Sequence, residues 1–175
     1  MTATTQLSAD RDFEHVPWRL DPARSSVEFR AKTLWGLVTV KGRFERYEGR
    51  LDFSQDRAIE LAVDAASLDT GNAKRDKHLR SEDFFAVDAQ PQVRFMSDST
   101  VRVGDRLHVH GELHSAGRSM PVQIVATLER DGDEYEIAAE TTVDQRKLGM
   151  THSPLRMLRH PAKLFVRGRL VRDAP

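Results

Sequence analysis

The run Val122-Gln-Ile-Val-Ala-Thr-Leu-Glu-Arg-Asp-Gly-Asp-Glu-Tyr-Glu-Ile-Ala-Ala-Glu-Thr-Thr-Val143 decides the fold class. Val122, Ile124, Ala126 and Leu128 share one parity, with Gln123, Val125 and Thr127 between them. After Asp131-Gly132 the alternation resumes through Tyr135, Ile137, Ala139, Thr141 and Val143. A period of two puts every second side chain on one face of a strand, whereas a helix would repeat near 3.6. Asp-Gly suits the compact hairpin turn whose backbone matches strand twist. The stretch therefore reads as an antiparallel hairpin with one apolar face.

The same period recurs outward in both directions. Val27, Phe29 and Ala31 alternate with Glu28, Arg30 and Lys32, and Val38, Val40, Gly42 and Phe44 follow. Ile59, Leu61 and Val63 come next, then Leu107, Val109, Gly111 and Leu113, and finally Leu164, Val166, Gly168 and Leu170. Gly104-Asp105 and Gly117-Arg118 punctuate as turns. About eight strands result, with no internal repeat. The 175 residues suffice for one domain with a substantial core. One-sided antiparallel strands in this number form a sandwich or a barrel. The expected layout is a flexible segment over residues 1–15 and a single all-β domain over 16–172.

Two stretches break the alternation. From Ser67 to Phe85, Gly71-Asn72 marks a turn and Ala73 to Arg80 suits a short helix between strands. Phe84 and Phe85 close that stretch. It reads either as a lid over one barrel end with its aromatics pointing in, or as a surface helix pinned by a Phe pair. From Met150 to Lys163, Pro154 and Pro161 block regular pairing, and Leu155, Met157 and Leu158 lie between them. A loop of this kind folds over a barrel mouth or contacts a partner.

Acidic and basic residues number 27 each, so no excess of cations exists to neutralise phosphates, which argues against nucleic-acid binding. The absence of cysteine removes disulfides, thiolate metal sites and a cysteine nucleophile. The first 20 residues are polar and charged, without the apolar stretch of a signal peptide, and no run is long enough for a spanning helix; a cytoplasmic protein is expected. No Gly-x-Ser-x-Gly, phosphate loop or conspicuous carboxylate pair points to catalysis, and a non-enzyme is expected.

His108, His110 and His114 share one parity. Histidines two apart lie about 7 Å from each other along a strand and could reach one metal. The opposite parity, Leu107, Val109 and Leu113, is the apolar one, so a solvated polar face is the favoured reading and no metal site is assigned. A metal-dependent enzyme using His108 and His110 is the alternative, and a non-catalytic stress-related interaction module is a third.

Eight basic and no acidic residues lie from Arg146 to Arg172, while Glu129 to Glu140 is rich in acids. Oppositely charged strands lying side by side account for this. Alternatively some of these cations, with Lys74, Arg75 and Lys77, ring a barrel mouth, attract an anionic headgroup and favour transient membrane-surface contact.

Several runs together resemble the YceI-like family. Trp18-Arg-Leu-Asp-Pro-Ala-Arg-Ser-Ser-Val-Glu-Phe29 and Leu34-Trp-Gly-Leu-Val-Thr-Val-Lys-Gly-Arg-Phe44 with Tyr47-Glu-Gly49 are similar to its opening strands. Asp69-Thr-Gly71, Arg75-Asp76, His78-Leu79 and Asp83-Phe-Phe85 form the most specific part, and Pro91-Gln-Val-Arg-Phe95, Gly111-Glu-Leu113, Gly117-Arg-Ser119 and Gly149-Met150 follow in the family's order. The resemblance spans Trp18 to Leu170. It implies an eight-stranded antiparallel lipocalin-like barrel whose tunnel takes polyisoprenoid chains, such as quinone tails or polyprenyl alcohols and phosphates. It also implies a homodimer, with no cofactor beyond a bound lipid. The lack of a signal peptide resembles the family's cytoplasmic branch. Strand parity and the aromatics at strand ends then nominate Phe29, Trp35, Phe44, Leu61, Phe84, Phe85, Phe95, Leu113, Ile124, Met150, Leu155 and Met157 as the lining. Each buried methylene contributes about 0.8 kcal/mol against an association cost of roughly 4–15 kcal/mol, which favours several isoprene units over a short acyl chain.

Overall fold

The computed structural model describes residues 13–33, 37–150 and 161–173. Its strands are β1 (Trp18–Leu20), β2 (Ser26–Thr33), β3 (Val38–Phe44), β4 (Tyr47–Leu51), β5 (Ile59–Asp64), β6 (Leu68–Asp69), β7 (Gln92–Val103), β8 (Arg106–Ser115), β9 (Arg118–Asp131), β10 (Glu134–Val143) and β11 (Ala162–Arg172). The helix α1 (Ala73–Arg80) stands between β6 and β7, over the residues the sequence assigns to it.

These segments make eight staves. β1 and β2 lie in succession along β11, with Leu20 opposite Leu170 and Val27 opposite Val166. β3 and β4 succeed each other along that bent stave, and β5 and β6 along the next. With β7 to β11 the ring is complete, and the β1–β11 pairing closes it into an antiparallel barrel. The choice between sandwich and barrel is thus resolved: every stave finds two neighbours, and among the described strands only β6 is paired on one side alone.

The breaks have local causes. Pro22 lacks a backbone donor and opens a one-turn 3-10 helix, Pro22–Arg24, capped by Asp21, whose carboxylate accepts from Ala23 N at 3.0 Å. The second turn, Ala65–Ser67, is capped by Asp64. Ser67, only 4% exposed, accepts from Arg46 N at 3.0 Å and donates to Asp64 O at 2.7 Å. One buried hydroxyl thereby ties the β3–β4 break to the β5–β6 break.

Arg24 staples the first break to the β9–β10 hairpin, donating to Asp21 at 2.7 Å and in a fork to both Glu134 oxygens at 2.8 Å. The Arg24 guanidinium holds the Glu134 and Asp21 carboxyls below their usual range and is itself held more firmly protonated. Lowered carboxylate values stabilise the fold above the ordinary range and lose that effect as pH falls through the lowered values. The advantage in urea midpoint of wild type over Arg24→Gln should therefore be full at neutral pH, begin to shrink as pH falls below about 4, and be lost once pH has passed the lowered values. An advantage that grows on acidification would contradict the assignment.

β7 carries a bulge. Its pairing with β8 shifts between Ser97 and Ser99, so the inward parity changes along the strand. Opposite the bulge, a side chain at Gly111 would place its Cβ 2.8 Å from the Phe95 ring. The Met96 carbonyl lies closer still. Because this neighbour is backbone, Gly111→Ala should cost about 1–3 kcal/mol in urea unfolding. A neutral result would mean that the bulge relaxes freely.

At one end of the barrel, Phe13, Trp18 and Tyr135 stack beneath the interior, with ring centroids 5.4 Å (Phe13–Trp18) and 4.5 Å (Phe13–Tyr135) apart. Phe13 is fully buried, so the domain begins inside the segment 1–15 that the sequence assigns as flexible. At the other end β6 pairs with β3 alone, and α1 stands beside it. That helix is polar and held by hydrogen bonds: Arg80 donates to Ala66 O at 2.9 Å and Leu68 O at 2.7 Å, and buried Asp76 accepts from Thr70 N at 3.0 Å.

Candidate functional site: an apolar cavity inside the barrel

Between the two ends lies a cavity of about 130 Å³. Its wall comes from alternate residues of many staves: Leu20, Leu51, Ile59 and Leu61, then Phe95, Val109 and Leu113, then Val122, Ile124 and Ala126, then Ile137, Ala139, Leu164, Val166 and Leu170. Small residues, Gly49, Ala126 and Ala139, leave the space that larger side chains would fill. Arg50, Glu60 and Glu140 border the cavity, but Arg50 is paired with Asp173 at 2.7 Å and Glu140 with Lys163 at 2.6 Å on the outside.

The exposure of the wall shows that the interior is hollow. Ile59, Leu61, Ile124, Ile137, Ala139, Leu164 and Val166 share the inward parity with fully buried neighbours, yet each remains only partly buried. In a filled core such residues would touch side chains on all sides. An apolar cavity stays dry and favours an apolar guest; one of roughly 150 Å³ holds benzene.

The nominated residues divide into groups. Leu61, Phe95, Leu113 and Ile124 are on the cavity wall. Phe29 and Phe44 lie in a second cluster with Val27, Val63 and Leu68, their rings 5.5 Å apart. Phe85 meets Phe44 edge-on at 5.8 Å, and Phe84 meets His78 at 5.0 Å. Met150 is buried in the main core, away from the cavity wall. Trp35, Leu155 and Met157 lie outside the described residues. The nomination favoured aromatics and methionines and passed over Ile59, Ile137, Ala139 and Val166, although their parity marked them as inward-facing.

His108 and His110 are exposed on the outer face, opposite in parity to Val109 and the cavity. Among the described residues no three His, Asp or Glu side chains converge on one point. The basic C-terminal strand does lie beside the acidic one, since β11 pairs with β10 along its length. Lys163 bonds Glu140, and Arg169 bonds Asp131. Arg75 turns back to Thr70 Oγ1 at 2.8 Å, which commits one of the cations assigned to the mouth.

Fold and cavity together define a closed eight-stranded antiparallel barrel with a small apolar interior, the size class that can hold one slender ligand. The YceI-like domain model matches residues 18–167, and the chain belongs to that family. Protein YceI of Shigella flexneri is 35% identical over 112 residues, covering 62% of this chain and 58% of that protein. A UPF0312 protein of Pseudomonas aeruginosa is 36% identical over the same length and coverage. The chain thus spans 58% of the length of these curated relatives. Among solved structures, Burkholderia cenocepacia BcnA superposes with a TM-score of 0.75 at 18% identity, covering 86% of this chain and 98% of that one. A polyisoprenoid binding domain from Saccharophagus degradans superposes with a TM-score of 0.70 at 13% identity, covering 91% and 100%. At these identities the likeness concerns the fold.

Proposed function

We propose that this domain binds the apolar chain of a lipid, of polyisoprenoid class, inside its barrel, and catalyses no reaction. The observation that carries this is the hollow wall: inward-facing Ile59, Leu61, Ile124 and Ile137 stay partly exposed around an apolar cavity. The polyisoprenoid class is supported by the binding partner of the Saccharophagus degradans neighbour. The cavity of about 130 Å³ takes the leading units of such a chain; a longer portion would displace Phe29, Phe44 and Phe85 at the α1 end. Branched chains suit walls rich in Leu, Ile and Val, because each buried methylene contributes about 0.8 kcal/mol without demanding a polar partner.

Organic extraction and mass spectrometry of protein purified without detergent test this reading. A long-chain isoprenoid recovered near stoichiometry is expected. No recovered lipid, together with no binding of added farnesol, would sink it. Homodimerisation and transient contact with a membrane surface belong to the same reading. Analytical ultracentrifugation should return twice the monomer mass, and flotation with anionic vesicles should retain protein; a monomer or an empty float would remove each.

A further inference from the structure

A second concavity lies at the rim of the barrel, where β7 begins and β8 turns into β9. It is a cleft of about 510 Å³ whose lining contains Gln92, Arg94, His114, Ser115, Arg118 and Ser119 and no carboxylate. Arg94 and Arg118 are exposed, and neither forms an ion pair with a carboxylate among the described residues. Glu112 stands 3.3 Å from His114 Nε2 and is outside the lining. Other arginines also lack an acid, Arg75 and Arg80 among them, but Arg94 and Arg118 line one cleft together.

The second observation is a buried hydroxyl. Ser115 is 4% exposed, and its Oγ has no hydrogen-bond partner among the described residues. A buried polar group left unmade costs stability, and a ligand oxygen bound in the cleft would satisfy this one. Register places it well. Ser115 follows Leu113 on the inner face of β8, about 7 Å further toward the rim, and Leu113 is cavity wall. Ser115 pairs with Arg118, and Arg94 pairs with His114. The cleft straddles the rim, with Ser115 and Arg118 on the inner parity and Arg94 on the outer.

We propose that this cleft binds an oxyanion of the phosphate class, with Arg94 and Arg118 as charged donors and the Ser115 hydroxyl as the buried one. Guanidinium groups match phosphate oxygens in geometry and charge. The assignment rests on the lipid-binding reading only for the source of the anion: the headgroup of a chain seated in the cavity, or free phosphate.

Calorimetric titration with inorganic phosphate, farnesol and farnesyl phosphate separates these cases. For a headgroup site, farnesyl phosphate should bind about ten- to a hundredfold more tightly than farnesol, as expected for charge-assisted hydrogen bonds. Arg94→Gln with Arg118→Gln should erase that advantage and leave farnesol affinity unchanged. Ser115→Ala should weaken the advantage without lowering the urea midpoint, which separates a ligand role from a structural one. Phosphate that binds through the two arginines while farnesyl phosphate gains nothing over farnesol would assign the cleft to free phosphate. If farnesol fails to bind while phosphate still does, the lipid reading falls and the oxyanion site stands. Equal affinity for the two lipids with no phosphate binding, or an advantage that survives both arginine substitutions, would overturn the proposal.

Discussion

Replacing Ala139 by Phe should weaken lipid binding about a hundredfold while leaving the barrel folded. Ala139 projects into the cavity from β10, between Ala126 on β9 and Val166 on β11, so the added ring enters empty space beside another small residue. Displacing about four methylenes of a bound chain forfeits about 3 kcal/mol at 0.8 kcal/mol each, on the order of a hundredfold in affinity. Overpacking elsewhere costs about 1–3 kcal/mol, but here the void absorbs the volume, so the unfolding midpoint should change little. Ala138→Phe is the control, because Ala138 has the opposite parity on the same strand. Farnesol affinity measured by fluorescence competition should fall in the first variant and hold in the second. Undiminished affinity in folded Ala139→Phe would place the ligand somewhere other than this cavity.

Phe13→Ala should remove about 3–5 kcal/mol of stability, the usual cost of deleting a fully buried aromatic. Phe13 stacks on Trp18 and Tyr135 and meets Phe53 edge-on at 5.8 Å, while the Arg102 guanidinium lies 4.7 Å above its ring. Its carbonyl accepts from Trp18 Nε1 at 2.9 Å, so the contact fixes the entry to β1 as well. The ring also supports the floor beneath Leu20, Leu51 and Leu170, and its loss should loosen the lipid cavity. Urea unfolding measures the effect. A loss under about 1 kcal/mol would return Phe13 to the flexible segment that composition suggests.

Much of the fold was legible because most strands keep one parity from end to end. β8, β9, β10 and β11 lie where alternation places them, and α1 occupies the residues its own turn signal predicts. β7 was not legible by alternation. Its bulge after Ser97 switches the inward parity, turning Val101 and Val103 outward, at 55% and 60% exposure, while Arg102 turns in over Phe13. A register change of one residue exchanges the faces of everything beyond it, and no local pattern announces it. The cavity was half legible: Leu61, Phe95, Leu113 and Ile124 follow from parity, but parity cannot distinguish a wall residue from a plug. Phe29 and Phe44 have the correct face and still fill space with each other.

That this chain is an all-β domain of one-sided antiparallel strands follows from residue order, because period-two burial is a local property of each strand. Its run of motifs from Trp18 to Leu170 is likewise a property of residue order, and it resembles the YceI-like family. Closure, the fully buried Phe13, the bulge and the hollow centre were decided by the tertiary structure alone. Each depends on how many side chains from distant staves meet at one point, and on whether their volumes fill it. Around Gly49, Ala126 and Ala139 they do not, and the cavity is what remains.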